Sequence, residues 1–187
     1  MTFTQAIAGT TAPEEILASL QLLEISYRDG TGTRHRGHLV VHEDVEEDIR
    51  GAFDLMERID FPVARVVPIN RYGWSDEASM ADNNTSAFNY RLVAGTSRLS
   101  AHARGLAIDI NPLWNPVIYE DGRRSPPGAL YLPGNRGVLE DFSPVVRFFL
   151  QRGWIWGGQF KTFKDYHHFE KRLPTGERRA SPVCSPR

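Results

Sequence analysis

The chain has 187 residues, 41% hydrophobic and 24% charged, the make-up of one ordinary globular domain with enough length to bury a core. Lys+Arg number 22 against 23 Asp+Glu, a formal net charge of -1, which argues against a broad phosphate-binding face. The single cysteine, Cys184, excludes an internal disulfide and a Cys-rich zinc site, so any metal centre must be built from His and carboxylates.

In chain order, the opening MTFTQAIAGTTAPEEIL lacks the basic and apolar regions of a secretory signal, and no later run approaches the roughly 20 apolar residues of a membrane-spanning helix. Thr11, Pro13 and the acidic residues after them mark a short helix start. LEISYRD reads as extended, GTGTRHRG as a turn and HLVVH as a strand, which together make a hairpin. HEDVEEDIRGAFDLMERID is the clearest helix. Val45, Ile49, Phe53 and Met56 share one face, and Glu46, Glu47 and Asp48 form a solvated first turn rather than a metal site. FPVARVVPI reads as a strand.

From Asn70 to Asn89 the chain is polar and aromatic without a clean period, a functional type of loop whose aromatics argue against disorder. AFNYRLV then resumes strand character. INPLWNPVIYEDGRRSPPGALYLPGNRG is rich in Pro and Gly and reads as a covering loop. In SPVVRFFLQRG, Ser143 suits an N-cap, Pro144 the first helical position and Gly153 the helix end. WIWGG and YHHFEKRL read as short strands. The chain thus divides into an N-terminal helix and hairpin over 1–42, a core over 43–173 and a weakly ordered tail over 174–187.

The candidate chemistry starts from six histidines. His38 and His42 would face the same way on a strand, but with His35 they have only Glu43 nearby, and a surface or structural role accounts for them. His102 and Asp109 lie in SRLSAHARGLAID. On one straight strand their odd spacing would put them on opposite faces. They converge only if His102 sits on a turn and the chain bends near Gly105, since Gly permits backbone angles other residues avoid. On this stretch alone, a metal-binding pair and a plain loop feeding a strand both stand.

A second cluster lies late, in WGGQFKTFKDYHHFE, where Asp165, His167, His168 and Glu170 come together. A catalytic zinc site commonly has three protein ligands and an open position for water, with a further group as base. His102, Asp109 and one late His would supply the ligands, and Asp165 the base. The bland alternative is an exposed amphipathic strand with scattered charges.

Taken together, LSAHARGLAIDINPLWNP, NNTSAFNYR, GWIWGGQF and DYHHFE resemble the M15 family of zinc peptidases, the D-alanyl-D-alanine carboxypeptidases, especially its VanY-like and L-alanyl-D-glutamate endopeptidase relatives. The resemblance covers roughly Glu43 to Leu173. It implies a single α+β domain with a central, mostly antiparallel sheet and flanking helices, as in hedgehog and DD-peptidase domains. It implies Zn2+ held by His102, Asp109 and His168, with His167 not a ligand. Asp165 matches the general base, and Arg91 the arginine that polarises the scissile carbonyl. Ser100 opens the first motif and either orients the loop or touches substrate. Trp156, Gly157 and Gly158 resemble a structural segment beside the site, with core packing an equal reading for Trp156.

The implied activity is hydrolysis of D-amino-acid-containing peptides of bacterial peptidoglycan by a zinc-activated water. The expected partners are stem peptides, with no nucleic acid and no membrane span, and a cell-wall-facing location sits beside the absence of a visible signal peptide. Two alternatives are a non-catalytic zinc module of the same fold and a metal-dependent nuclease. Asp165 and Arg91 weigh against the first, and the near-neutral charge against the second.

Overall fold

The computed structural model describes residues 1–173; the tail from 174 on, with Cys184, lies outside the described residues. Two short helices, α1 (Phe3–Ala6) and α2 (Glu14–Leu17), lead into the hairpin of β1 (Leu20–Arg28) and β2 (Arg34–His42). The strands run antiparallel with Leu23 opposite Leu39 and Tyr27 opposite His35. Alternation along β1 buries Leu23, Ile25 and Tyr27, the pattern of a sheet covered on one face. The turn is held by Asp29, whose Oδ1 accepts from the Thr31 and Thr33 amides at 2.8 and 3.0 Å.

A single 3-10 turn, Glu43–Val45, precedes α3 (Glu46–Arg58), which packs on β1. Ile49, Ala52, Phe53 and Met56 are buried and Glu46, Glu47 and Asp48 fill the first turn, as the helical spacing requires. Asp48 does more than solvate the turn. Its Oδ2 accepts from Lys171 Nζ at 2.7 Å and from Trp154 Nε1 at 2.8 Å, tying the helix start to the far end of the fold.

The chain then forms β3 (Arg65–Val66), a 3-10 turn at Ile69–Tyr72, α4 (Asp76–Ala81) and β4 (Asn84–Thr85), with β3 and β4 pairing in parallel. FPVARVVPI is therefore strand over only two residues, because Pro62 and Pro68 lack the N–H that a ladder needs. The aromatic stretch from Asn70 is ordered by its own short elements. AFNYRLV is not a strand: Phe88 N–H donates to Val40 and Asn89 N–H to His102, so the segment is stitched across two different neighbours.

The rest of the chain builds two three-stranded antiparallel sheets. One is ordered β5 (Ala107–Asp109), β10 (His168–Lys171), β8 (Trp154–Trp156); the other β7 (Arg124–Ser125), β6 (Val117–Tyr119), β9 (Phe163–Asp165). The Pro/Gly-rich covering loop thus contains the β6–β7 hairpin. Helix α5 (Pro144–Gln151) begins at Ser143, whose Oγ accepts from the Val146 amide, and packs on β8. The fold is α+β, a single small domain whose sheets are antiparallel apart from the β3–β4 pair.

Phe149 and Phe169 stack at 4.4 Å between ring centroids, and fully buried Trp156 lies beside Phe169. These rings join Leu23, Ile49, Ile108 and Leu139 in one core. Trp156 therefore packs the interior, its Nε1 donating to the Tyr166 carbonyl at 2.9 Å. Because β10 alternates, Phe169 enters the core while His168 and Glu170 share the opposite face.

Candidate metal centre

His102 sits in a 3-10 turn, Ala101–Arg104, that opens at Ser100. Ser100 is buried and its Oγ accepts from the His102 amide at 3.3 Å, so it orients the loop, and it also borders the cleft described below. The turn ends at Gly105, with φ +65°. A side chain there would be strained by backbone angle alone, and its Cβ would also stand 2.6 Å from the His42 nitrogen. Beyond this bend the chain enters β5, where Asp109 is pinned on both sides. Its N–H and C=O bond Ser86, and His168 lies directly opposite in the β5–β10 register. Facing residues in such a ladder stand close enough for their side chains to meet.

The result is a buried cluster. His102 Nε2 lies 3.2 Å from Asp109 Oδ2, and His168 Nδ1 lies 2.9 Å from Asp109 Oδ1 and 3.2 Å from His102 Nε2. Side-chain exposure is 3% for His102, 4% for Asp109 and 13% for His168, so the cluster is largely shielded from water and His168 is its most open member. Ligand atoms about 2.0–2.1 Å from a tetrahedral zinc stand about 3.3 Å from one another, and these separations fit that arrangement. His102 Nδ1 meets the Ala87 carbonyl, which can only accept, so Nδ1 carries a hydrogen and in the neutral ring the Nε2 lone pair faces the cluster. His102, Asp109 and His168 could hold a metal ion.

The electrostatics match the geometry. Burial would raise the Asp109 carboxyl, but His102 and His167 beside it, with hydrogen bonds from His102 and His168, hold it well below the usual carboxylate range. Burial opposes charge on His168, yet Asp109 and Glu170 outweigh it and push the imidazole up to about 10. A metal taken up by the cluster would have to displace that proton.

Asp165 ends β9, and the turn at Tyr166 and His167 carries the chain into β10. Gly157 makes room for it: a Cβ on Gly157 would stand 2.7 Å from the Asp165 Cβ. Asp165 Oδ1 is buried with no hydrogen-bond partner among the described residues. His167 Nε2 is 3.0 Å from that oxygen, an ion-pair distance that lacks hydrogen-bond alignment. His167 turns away from the cluster, its Nδ1 donating to the Asn115 carbonyl at 2.7 Å, and burial is outweighed by Asp165 and Asp109, which push it up to about 9.

Arg91 lies on the same cleft, of about 1510 Å³, that holds His102, Asp109, Asp165 and His168. Its guanidinium pairs with Asp76 of α4 at 2.9 Å, and its Nε is buried without a partner among the described residues. Sequence reasoning missed Asp76, although Ser75 before it is a recognisable N-cap. The hairpin histidines stay apart from the cluster. His35 pairs with Asp29 at 2.6 Å, His38 lies 4.0 Å from Glu24, and His42 accepts from the Asp44 amide.

Comparison with curated proteins and with solved structures gives no match. Residues 94–171 match the model of the D-alanyl-D-alanine carboxypeptidase family. That span holds His102, Asp109, Asp165 and His168 but stops short of Arg91, and over it the chain is similar to that peptidase family.

Proposed function

We propose that this chain is a zinc-dependent peptidase that hydrolyses D-amino-acid-containing stem peptides of bacterial peptidoglycan. The observation that carries the proposal is the convergence of His102, Asp109 and His168 beside a buried Asp165 oxygen that lacks a hydrogen-bond partner among the described residues. A recognition module needs only the three ligands, whereas Asp165, paired in the fold with His167, also lines the same cleft, where a base is needed. The family match over 94–171 supports the same reading.

His102, Asp109 and His168 would hold the ion, which when bound supplies a Lewis acid that polarises water and the substrate carbonyl. The chain's own residues supply the rest. Asp165 takes one proton of the attacking water at a carboxylate oxygen and gives it to the leaving amine, so that one water and one peptide bond become a carboxylic acid and an amine, which then exchange a proton to carboxylate and ammonium. Arg91, held by Asp76, presents positive charge to the carbonyl oxygen as it becomes an oxyanion. The open cleft admits an extended peptide.

The test is mass spectrometry of purified muropeptides incubated with the zinc-loaded protein, with and without chelator, and with Asp165→Asn. Cleavage should stop with chelator and fall about 10²–10⁴-fold in the variant, as for loss of a general base. Zinc content of the variant should equal that of wild type. Undiminished cleavage by Asp165→Asn would overturn the assignment of the base. Absence of any chelator-sensitive product would overturn the peptidase itself.

A further inference from the structure

The two histidines of the cluster turn different nitrogens toward Asp109. His102 uses Nε2 and His168 uses Nδ1. A neutral imidazole carries one N–H and one lone pair, so each ring needs an acceptor behind it to fix which nitrogen is free. For His102 that acceptor is the Ala87 carbonyl. For His168 the atom behind is Nε2, and the group facing it is Glu170 Oε2 at 3.5 Å.

Strand geometry accounts for this placement. His168 and Glu170 are two apart on β10 and therefore share its cleft face, while Phe169 between them is fully buried in the core. The exposed Arg172 lies on the other side of Glu170, its Nη2 3.6 Å from Oε1, leaving Oε2 for the imidazole. At 3.5 Å the contact is at ion-pair distance and longer than a hydrogen bond, so the carboxylate has to close a few tenths of an ångström to take the N–H.

We propose that Glu170 is a positioning residue for the metal centre: it takes the His168 Nε2–H and so presents His168 through Nδ1. The inference rests on the metal reading of the cluster above. A carboxylate behind a ligating imidazole fixes its ring and raises its basicity, and removing such a group typically weakens metal binding about 10–100-fold.

The experiment measures zinc dissociation constants of the full chain by competition with a chromophoric chelator, for wild type, Glu170→Ala and Glu170→Gln. Melting of each metal-free protein reports folding. Glu170→Ala should bind zinc about 10–100-fold more weakly with an unchanged metal-free melting temperature. Glu170→Gln, whose amide oxygen still accepts from Nε2–H, should recover most of the loss. Nitrogen-15 spectra of the zinc-loaded, histidine-labelled wild type should show His168 bound through Nδ1 with a proton on Nε2. Wild-type zinc binding with unchanged affinity in Glu170→Ala, or coordination through Nε2, overturns this proposal alone. A wild-type chain that takes up no zinc overturns the metal reading and the proposal with it.

Discussion

Gly105 is the residue whose replacement best tests how the bend builds the site. Its φ of +65° charges a side chain about 1–2 kcal/mol for the left-handed conformation, partly offset by the roughly 0.4–1 kcal/mol that Ala gains by restricting the unfolded chain. The second cost comes from space. A Cβ would stand 2.6 Å from His42 N, 2.6 Å from Leu20 Cδ2 and 2.9 Å from the Val41 carbonyl carbon. Two of those atoms are backbone, and the His42 amide also donates to the Gly105 carbonyl at 2.9 Å, so neither can withdraw without breaking the join between β2 and the His102 turn. Overpacking of this kind costs about 1–3 kcal/mol, for a total of about 1–5 kcal/mol.

Gly153 supplies the control. Its φ is +76°, yet a Cβ there meets nothing within 4 Å, so Gly153→Ala carries the conformational cost alone. Thermal unfolding followed by circular dichroism should place Gly105→Ala below Gly153→Ala by roughly 2–12 °C, at about 2–4 °C per kcal/mol for a chain of this size. Adding Leu20→Ala to Gly105→Ala removes only the flexible contact and should restore little. Zinc affinity should fall in Gly105→Ala and stay at the wild-type level in Gly153→Ala. Melting temperatures within 2 °C of each other would show that the close approach to β2 is not what makes Gly105 necessary.

Asn115 is fully buried, accepting from the Leu139 amide at 2.6 Å and donating to the Ile110 and Gly137 carbonyls. Asn115→Ala orphans the Leu139 amide and the Ile110 carbonyl, the Gly137 carbonyl keeping Asn111 Nδ2, and should cost about 2–6 kcal/mol in urea unfolding, at about 1–3 kcal/mol for each unsatisfied group; a loss under about 1 kcal/mol would refute that account. Hydrogen bonds from Thr31 and His35 hold the Asp29 carboxyl well below its ordinary range. Its contribution to stability is therefore complete above the ordinary Asp value of 3.8 and is lost as pH falls through the lower folded value. The Thr31 and Thr33 amide resonances should stay at their neutral-pH positions down to pH values below 3.8, and a midpoint at or above 3.8 would contradict the turn geometry.

The core elements were legible where one periodicity dominates. Val45, Ile49, Phe53 and Met56 recur at helical spacing and all end buried. The short strands were harder, because two or three residues carry no period and their pairing depends on distant partners. β9 was missed for that reason, although it delivers Asp165 to the cleft. Asn111 and Asn115 read as loop residues in a Pro-rich run, yet both are fully buried. They are there because the covering segment brings backbone groups inside that only side-chain amides can satisfy.

The choice between His167 and His168 depends on register, which the order of residues does not state. Asp109 faces His168 across the β5–β10 ladder, whereas His167 lies in the turn and gives its Nδ1–H to Asn115. The alternation itself was nonetheless present in the letters. In H-F-E one apolar residue stands between two polar ones, the mark of a strand with one buried face. If Phe169 faces the core, His168 and Glu170 must face the other way together. That parity puts His168, not His167, on the cleft side of the strand. It also puts Glu170 beside the same imidazole, so one alternation places both side chains together on the cleft face.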